Sequence, residues 1–267
     1  MNQTVVKYGK NCLVTGASSG IGQAYAEKFA ELGHDIILSA RSVDKLEKIK
    51  TDLEKKYSIK AYVFAKDLSV TGAAEELAGE IQELNLDVHI LINNAGVGQV
   101  GTFMSMKSHE IAGMMELNCT NPAKLAHIFG QKMLERRSGA IIFLASIVAY
   151  QATPWMSLYG ATKGFNLLLG EALCHELRDA GIDVLSVSPG STKTNFSDTA
   201  GLDPKIKELP GRSSMQVVDT TISALGKQQS VVDGSMNALL VFLNRFLPRF
   251  LPVKVYQRVY KKLEWKS

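Results

Sequence analysis

Two patterns of apolar and polar residues alternate along the chain. Short continuous apolar runs, "NCLVTG" and "DIILSA", are followed by longer stretches, "IGQAYAEKFAELG" and "SVDKLEKIKTDLEKKY", in which apolar residues recur with a helical period. Further strand-like runs are "KAYVFAKDL", "VHILINNAG", "AIIFLAS" and "DVLSVSPG". Continuous apolar strands separated by amphipathic helices are typical of a parallel sheet covered on both faces. The pattern therefore predicts an α/β fold with about seven parallel strands.

The chain shows no clear division into several domains. No segment rich in Pro, Gly and Ser, no repeat and no low-complexity tract interrupts the 267 residues. We therefore predict one α/β domain over residues 1–243 and a tail over residues 244–267. The least regular stretch, residues 190–214, reads "GSTKTNFSDTAGLDPKIKELPGRSS". Because long irregular insertions in compact domains are usually functional, we expect a mobile loop that covers the site.

Composition narrows the class of protein. With 46% hydrophobic and 21% charged residues, the chain resembles an ordinary globular protein and neither a disordered chain nor a membrane bundle. The N-terminus lacks a signal-like apolar run, and no long uncharged apolar stretch occurs, so we expect a cytoplasmic location. Cys12, Cys119 and Cys174 are widely spaced, which favours free thiols over a disulfide or a metal site.

Charge is unevenly distributed along the chain. Residues 244–267 hold seven Lys and Arg residues against the single acid Glu264, a charge of +6. Since the whole chain carries +4, the remainder carries −2. A nucleic-acid-binding protein would spread its basic residues over a folded face, so we expect no nucleic-acid partner.

The tail combines its cations with bulky apolar residues. Phe242, Phe246 and Phe250 recur every four positions, although Pro248 and Pro252 must kink or end a helix that would align them. Basic amphipathic segments with aromatic residues can lie at an anionic membrane interface, which makes peripheral membrane contact one interpretation. In the alternative, the tail packs on the edge of the sheet or on a partner subunit while its cations stay solvated.

A glycine-rich turn follows the first predicted strand. "TGASSGIG", residues 15–22, also opens the first predicted helix, which is the context that a dinucleotide-binding loop requires. Glycines permit a tight turn and close approach of the backbone to a pyrophosphate, while N–H groups at the helix start attract the anion. A plain strand-to-helix turn is the alternative. The residues that would hold the phosphates are Gly16, Ser18, Ser19, Gly20, Ile21 and Gly22.

The end of the second predicted strand bears on the choice between NAD and NADP. An acidic residue here would hold the ribose 2′-hydroxyl of NAD, but the sequence reads "LSARS", with Arg41 and Ser42. A guanidinium can pair with a 2′-phosphate. The sequence therefore predicts NADP as the cofactor, and a solvated surface arginine is the alternative.

A tyrosine and a lysine lie four residues apart in "SLYGATKG", residues 157–164. Residues at this spacing share one face of a helix, so the Tyr159 phenol and the Lys163 ammonium can meet in one cleft. A phenol has a pKa of about 10, and a nearby cation lowers that value. We therefore expect Lys163 to activate Tyr159 for proton transfer. An exposed Tyr/Lys pair is the alternative.

Two further polar residues occupy informative positions. Ser146 ends the strand "AIIFLAS", and open α/β sheets bind ligands at the carboxyl ends of their strands, although a simple turn serine is the alternative. Asn118 lies within the helical stretch "MMELNCTNPAKLAHIF", where a buried amide without a partner would cost about 1 to 3 kcal/mol. Asn118 therefore needs a hydrogen-bond partner.

Together these motifs resemble the short-chain dehydrogenase/reductase family. The glycine turn at 15–22, "NNAG" at 93–96, Asn118, Ser146 and "YGATK" at 159–163 occur in the family's order over roughly residues 10–190. The resemblance implies a single Rossmann-type doubly wound domain with helices on both faces. Many NADP-using relatives carry a basic residue in the glycine loop, where this chain has only Ser18 and Ser19, so Arg41 would determine the preference nearly alone.

The resemblance also implies roles for individual residues. Tyr159 would be the general acid in reduction and the general base in oxidation, and Ser146 would polarise the substrate carbonyl. Asn118 would hold an ordered water that is linked to Lys163. Further cofactor contacts implied by the resemblance lie at the adenine, at its ribose and at the nicotinamide: Asp67, Leu68, Asn93, Asn94, Ala95, Gly96, Pro189, Gly190 and Thr192.

The function that these features predict is NADP(H)-dependent hydride transfer between a nicotinamide and a carbonyl or secondary alcohol. A regulatory NADP-binding protein without turnover, or an interaction module anchored by its tail, are the alternatives. The family also makes a homodimer or homotetramer the expected assembly, with "FNLLLGEALCHEL" as interface or as covered core. A lipophilic substrate is favoured by apolar residues near the predicted site: Val97, Val100, Phe103, Trp155, Met156, Phe196 and Leu202. The segments "GTF" and "SARS" resemble family members that act on 3-oxoacyl chains or steroids, which favours a substrate of one of these kinds.

Overall fold

A computed structural model of the protein describes residues 7–196, 200–201 and 211–262, with side chains through residue 258. Within these residues, seven parallel strands form one sheet in the order β3-β2-β1-β4-β5-β6-β7. The strands are β1 (Asn11–Thr15), β2 (Asp35–Ala40), β3 (Ala61–Ala65), β4 (Ile90–Asn93), β5 (Gly139–Leu144), β6 (Ile182–Ser188) and β7 (Ser230–Val232). The strand order reverses between β1 and β4, and such a reversal opens a crevice at the carboxyl ends of the strands. The predicted α/β fold with about seven parallel strands is confirmed.

Helices connect the strands and cover the sheet. They are α1 (Gly20–Glu31), α2 (Val43–Tyr57), α3 (Ala73–Glu83), α4 (Ser108–Met115), α5 (Asn121–Arg136), α6 (Ser157–Leu177), α7 (Ser214–Ala224), α8 (Ser235–Asn244) and α9 (Phe250–Lys262). A π-helical turn, Glu116–Thr120, joins α4 to α5, and short 3₁₀ turns lie at Phe103–Ser105, Ile147–Tyr150 and Arg178–Ala180.

The continuous apolar strands build two cores, one on each face of the sheet. Successive side chains of a strand point to opposite faces, so Val14 packs with α1, α2 and α7 while Leu13 packs with α3, α5 and α6. Tyr25 and Phe29 fill the first core, and Phe129 belongs to the second. Both faces are therefore buried, as the doubly wound fold requires.

The structure refines two expectations about helices. The helical stretch around Asn118 is interrupted by the π-helical turn, so Asn118 lies between two helices. In the tail, α8 ends at Asn244, Pro248 lies between α8 and α9, and Pro252 occupies the first turn of α9, where its missing N–H costs no hydrogen bond. In the described part of the chain, no helix is long and apolar enough to cross a membrane.

Candidate active site

The glycine turn between β1 and α1 has a geometry that only glycine fits well. Gly16 and Gly20 adopt positive φ angles of 66° and 59°. A Cβ atom on Gly16 would lie 2.9 Å from the Cα atom of Ala95, and one on Gly22 would overlap the carbonyl oxygen of Gly16. The Ser19 side chain makes no capping hydrogen bond to the start of α1. The turn therefore presents backbone at a helix start, which suits the pyrophosphate of a dinucleotide.

Asn94, at the end of β4, holds the glycine turn in place. Its Nδ2 atom donates to the carbonyl oxygen of Thr15 at 2.8 Å. The Thr15 hydroxyl in turn accepts the N–H groups of Asn94 and Ala95 at 3.1 and 3.0 Å. The side chain of Asn94, which the sequence predicts as a cofactor contact, therefore bonds to protein backbone, while Asn93 is buried and donates to Pro122.

The residues predicted to contact the adenosine lie at the ends of β2 and β3. Arg41 and Ser42 are exposed, Asp67 is half-buried and Leu68 is buried. Burial by itself raises the pKa of Asp67, but two hydrogen bonds from Ser69 and the charge of Arg41 outweigh burial and lower the pKa. Arg41 is thus close enough to Asp67 for their charges to interact at this edge of the sheet.

The structure brings the four predicted catalytic residues into one buried cluster. Asn118 comes from the π-helical turn, Ser146 follows β5, and Tyr159 and Lys163 lie on α6. The Lys163 Nζ atom donates to the carbonyl oxygen of Leu144 at 2.6 Å and lies 5.8 Å from the centre of the Tyr159 ring. A hydrogen bond joins the side chains of Tyr159 and Ser146.

Gly96 keeps space open between two members of this cluster. A Cβ atom on Gly96 would lie 3.2 Å from Oδ1 of Asn118 and 3.3 Å from Nζ of Lys163. The loop after β4 therefore contacts the glycine turn through Ala95 and the catalytic cluster through Gly96. This connects the predicted cofactor-binding residues with the predicted catalytic residues.

Asn118 has protein partners for its whole amide group. Its Nδ2 atom donates to the carbonyl oxygen of Val97 at 2.8 Å and to the Thr162 hydroxyl at 3.0 Å, and its Oδ1 atom accepts the Val97 N–H. The partner that the buried amide requires is therefore found within the protein. Because a π-helical turn shifts the helix register locally, it can aim this side chain across to the loop after β4.

Electrostatics in the cluster differ from the expectation in one respect. Burial raises the pKa of Tyr159 above its ordinary value, and the hydrogen bond with Ser146 opposes this effect only in part. Burial also lowers the pKa of Lys163 to about 8. The net pKa of Tyr159 is therefore raised in the protein alone and not lowered as expected, because burial is the larger effect. At neutral pH, Tyr159 is a neutral phenol that can donate a proton.

An apolar cluster lies beside Tyr159. It consists of Met114, Met156 and Tyr159, and half-buried apolar residues pack against it. The Phe196 ring lies 5.4 Å from the Tyr159 ring. Four of these half-buried residues are ones that the sequence places near the site: Val97, Val100, Trp155 and Phe196. Phe196 belongs to the predicted loop at 190–214. Phe103 is 43% exposed, and Leu202 lies outside the described residues.

The predicted loop is closed at its base. Thr192 pairs with Arg212, and Arg212 Nε bonds to buried Asp233 at 2.7 Å. The Thr192 hydroxyl donates to the carbonyl oxygen of Gly190. The carbonyl oxygen of Pro189 accepts a hydrogen bond from the Ile147 N–H. These contacts fix residues 189–192, which the sequence predicts beside the nicotinamide, against the turn after β5 and, through Arg212, against the residue that follows β7. Residues 197–199 and 202–210 lie outside the described part.

Sequence reasoning missed two residues at the site. A Cβ atom on Gly20 would lie 3.1 Å from the Cγ2 atom of Thr194, so the Thr194 side chain packs against the glycine turn. Its position two residues beyond Thr192 is a weak signal that could have identified it. Tyr256, from α9, packs against the apolar cluster beside Tyr159. Nothing local in the sequence indicates this contact.

Comparisons with known proteins agree with this geometry. The family model described as "short chain dehydrogenase" matches residues 10–205. Hydroxysteroid dehydrogenase-like protein 1 from Gallus gallus is 32% identical over 83% of this chain and 67% of its own length.

Two solved structures are also similar. A short-chain dehydrogenase from Sphingobium yanoikuyae in complex with NADPH is 32% identical, with a TM-score of 0.76, and the match covers 84% of this chain and 87% of that one. A structure of a 7β-hydroxysteroid dehydrogenase is 25% identical, with a TM-score of 0.86, over 96% of this chain and 100% of that one. The chain therefore belongs to the short-chain dehydrogenase/reductase family of oxidoreductases, whose cofactor is NAD or NADP.

Proposed function

We propose that the protein is an NADP(H)-dependent oxidoreductase that interconverts a bulky, lipophilic ketone and its secondary alcohol. The observation that carries this proposal is the convergence of Ser146, Tyr159 and Lys163 in one buried cluster. The cluster lies between the glycine turn on one side and an apolar, aromatic surface on the other. A hydride donor and an apolar ketone therefore have adjacent places to bind.

The residues of the site divide the chemistry among them. The nicotinamide, when bound, supplies a hydride in reduction and accepts one in oxidation. Ser146 donates a hydrogen bond to the carbonyl oxygen and polarises it. Tyr159, a neutral phenol, donates its proton to that oxygen as negative charge develops there. The Lys163 cation then stabilises the phenolate that remains, and the reverse proton transfer serves oxidation.

The preference for NADP rests on Arg41. This side chain is exposed at the end of β2, where an acidic residue would repel a 2′-phosphate. Hydrogen bonds to charged groups contribute about 1.5 to 3 kcal/mol, so Arg41→Gln should weaken NADPH binding about tenfold to a hundredfold. The affinity of the same variant for NADH should stay within about twofold of the wild-type affinity.

Fluorescence titration with both cofactors measures this effect. Lys45→Gln is a matched control, because Lys45 is another exposed cation one turn into α2. Equal loss of NADPH affinity in the two variants, or parallel loss of NADH affinity in Arg41→Gln, would contradict the proposed role.

The proposed substrate is a steroid-like ketone or a long 3-oxoacyl compound. The side chains beside Tyr159 support this proposal, because Trp155, Phe196 and Tyr256 offer large apolar faces. Two of the similar proteins named above are hydroxysteroid dehydrogenases or related to them by name. We expect a rigid or extended apolar ketone to bind better than a small ketone of equal reactivity.

A turnover assay tests the proposed function directly. Oxidation of NADPH is followed by absorbance with oxosteroids, 3-oxoacyl thioesters, small ketones and aldehydes. Turnover that is greatest for the bulky ketones supports the proposal. Tight NADPH binding without turnover of any compound in the panel would instead indicate a regulatory NADP-binding protein.

We also propose a homodimer or homotetramer. On α6, the large apolar side chain of Leu168 is 66% exposed and that of Phe165 is 40% exposed. Contact with a second subunit would bury this face. Light scattering coupled to gel filtration gives the mass, and a strictly monomeric protein at micromolar concentration would contradict the proposal.

A further inference from the structure

The C-terminal segment exposes many large apolar side chains. Phe242, Phe246 and Phe250 are 54%, 70% and 56% exposed. Exposed apolar surface on this scale marks an interaction site. We name these residues the tail surface: Met236, Leu239, Leu240, Phe242, Leu243, Phe246, Leu247, Phe250, Leu251 and Val255.

Cations are interspersed with the tail surface. Arg245, Arg249, Lys254 and Arg258 are all exposed, and residues 235–262 contain no Asp or Glu. The Lys254 Nζ atom lies 5.1 Å from the centre of the Phe250 ring, so this cation and this aromatic ring are presented together. Apolar and aromatic side chains with adjacent cations match the two layers of an anionic lipid surface, acyl chains below and headgroups above.

We propose that the tail surface docks α8 and α9 onto an anionic membrane, with the helices lying in the plane of the interface. A second copy of the chain fits less well, because a two-fold contact would place this acid-free, basic surface against itself. Opposite charge favours the lipid headgroups, since each Lys or Arg near an anionic surface contributes to binding. Docking does not rest on the proposed enzymatic function.

The inner side of the same segment touches the candidate active site. Pro252 is buried, and Tyr256, one turn further along α9, packs against the cluster of Met114, Met156 and Tyr159. The helix that contacts the lipid therefore also forms part of the wall of the site. Docking places this wall at the bilayer surface, where a lipophilic ketone is concentrated. This consequence rests on the proposed function.

Vesicle flotation of the full chain tests the docking. Vesicles of phosphatidylcholine alone are compared with vesicles containing about one third phosphatidylserine. We expect the wild type to float with the anionic vesicles, and added salt to release it. Arg245→Gln combined with Lys254→Gln should lower partitioning about thirtyfold, since each cation contributes about 1 kcal/mol near such a surface.

Matched variants separate docking from changes in net charge and apolarity. Lys48→Gln with Lys55→Gln removes two exposed cations from α2 and should not alter flotation. Phe246→Ser with Phe250→Ser should lower partitioning at least tenfold, whereas Leu84→Ser, at a 57% exposed site on the end of α3, should not. All of these side chains are exposed, so the variants keep the fold, which circular dichroism checks.

Three results would overturn the proposal: no flotation of the wild type with anionic vesicles, equal losses in the tail variants and their controls, or lipid-independent self-association that Phe246→Ser with Phe250→Ser abolishes. The last result would make a second copy the occupant. The NADPH turnover assay is read separately in solution, so failure of docking and failure of the enzymatic proposal are distinguishable.

Discussion

Replacing Lys163 by methionine should make the protein more stable at neutral pH. The Lys163 side chain is buried on α6 beside Tyr159, and burial lowers its pKa from 10.5 to about 8. Methionine fills a similar volume without carrying a charge into the interior. The variant should therefore gain stability while losing the cation that supports proton transfer by Tyr159.

The size of the effect follows from the pKa values. Below pH 8 the folded and unfolded chains both carry the charge, and the folded chain bears its full desolvation cost. Between pH 8 and 10.5 the folded chain has lost the proton while the unfolded chain keeps it, so wild-type stability rises with pH. A pKa lowered from 10.5 to about 8 corresponds to about 3 kcal/mol. The stability advantage of Lys163→Met should therefore shrink by about 3 kcal/mol between pH 7 and pH 10.5.

Urea unfolding of wild type and variant, at several pH values from 7 to 10.5, measures this difference. Other titrating groups affect both proteins alike and cancel. The variant lacks the hydrogen bond to Leu144 at every pH, which offsets its stability without producing the change with pH that is measured. Lys48→Met, on the exposed side of α2, is the control and should shift stability by less than about 0.5 kcal/mol. An advantage of Lys163→Met that stays constant with pH would refute the reasoning.

Two further substitutions probe the cofactor turn and the wall of the site. Gly22→Ala should abolish NADPH binding or destabilise the fold by at least about 1 to 3 kcal/mol, because the added methyl would overlap the Gly16 carbonyl. Gly79→Ala, in open space on α3, should instead stabilise by about 0.5 to 1 kcal/mol in the same urea titration. Tyr256→Ala should raise KM for a bulky ketone several-fold while kcat and NADPH affinity stay within about twofold, and steady-state kinetics with a small ketone should show no such rise. Equal behaviour of the two glycine variants, or an unchanged KM for the bulky ketone, would contradict these assignments.

Local sequence patterns predicted the parts of the site that depend on short-range geometry. The glycine turn is a contiguous segment whose spacing fixes its conformation, and the four-residue spacing of Tyr159 and Lys163 fixes their common helix face. Apolar runs likewise predicted the buried parallel strands, because both faces of such a sheet need apolar side chains.

Features that depend on long-range packing could not be predicted from local sequence patterns. β7 has only three half-buried residues, so its run is too short to produce a strand pattern. The contact of Tyr256 with the cluster at Tyr159 joins residues almost a hundred positions apart. The direction of the pKa change at Tyr159 depends on how completely the surrounding chain buries it, which spacing does not reveal.

The most direct test of the proposed enzymatic function is the turnover of Tyr159→Phe, which removes only the phenolic oxygen. General acid catalysis contributes about 10² to 10⁴ in rate, so we predict that kcat for the reduction of a ketone by NADPH falls at least a hundredfold. The affinity for NADPH, from fluorescence titration, should remain within about twofold. A variant that binds NADPH and still reduces the ketone at a rate close to wild type would contradict the assignment of Tyr159 as the proton donor.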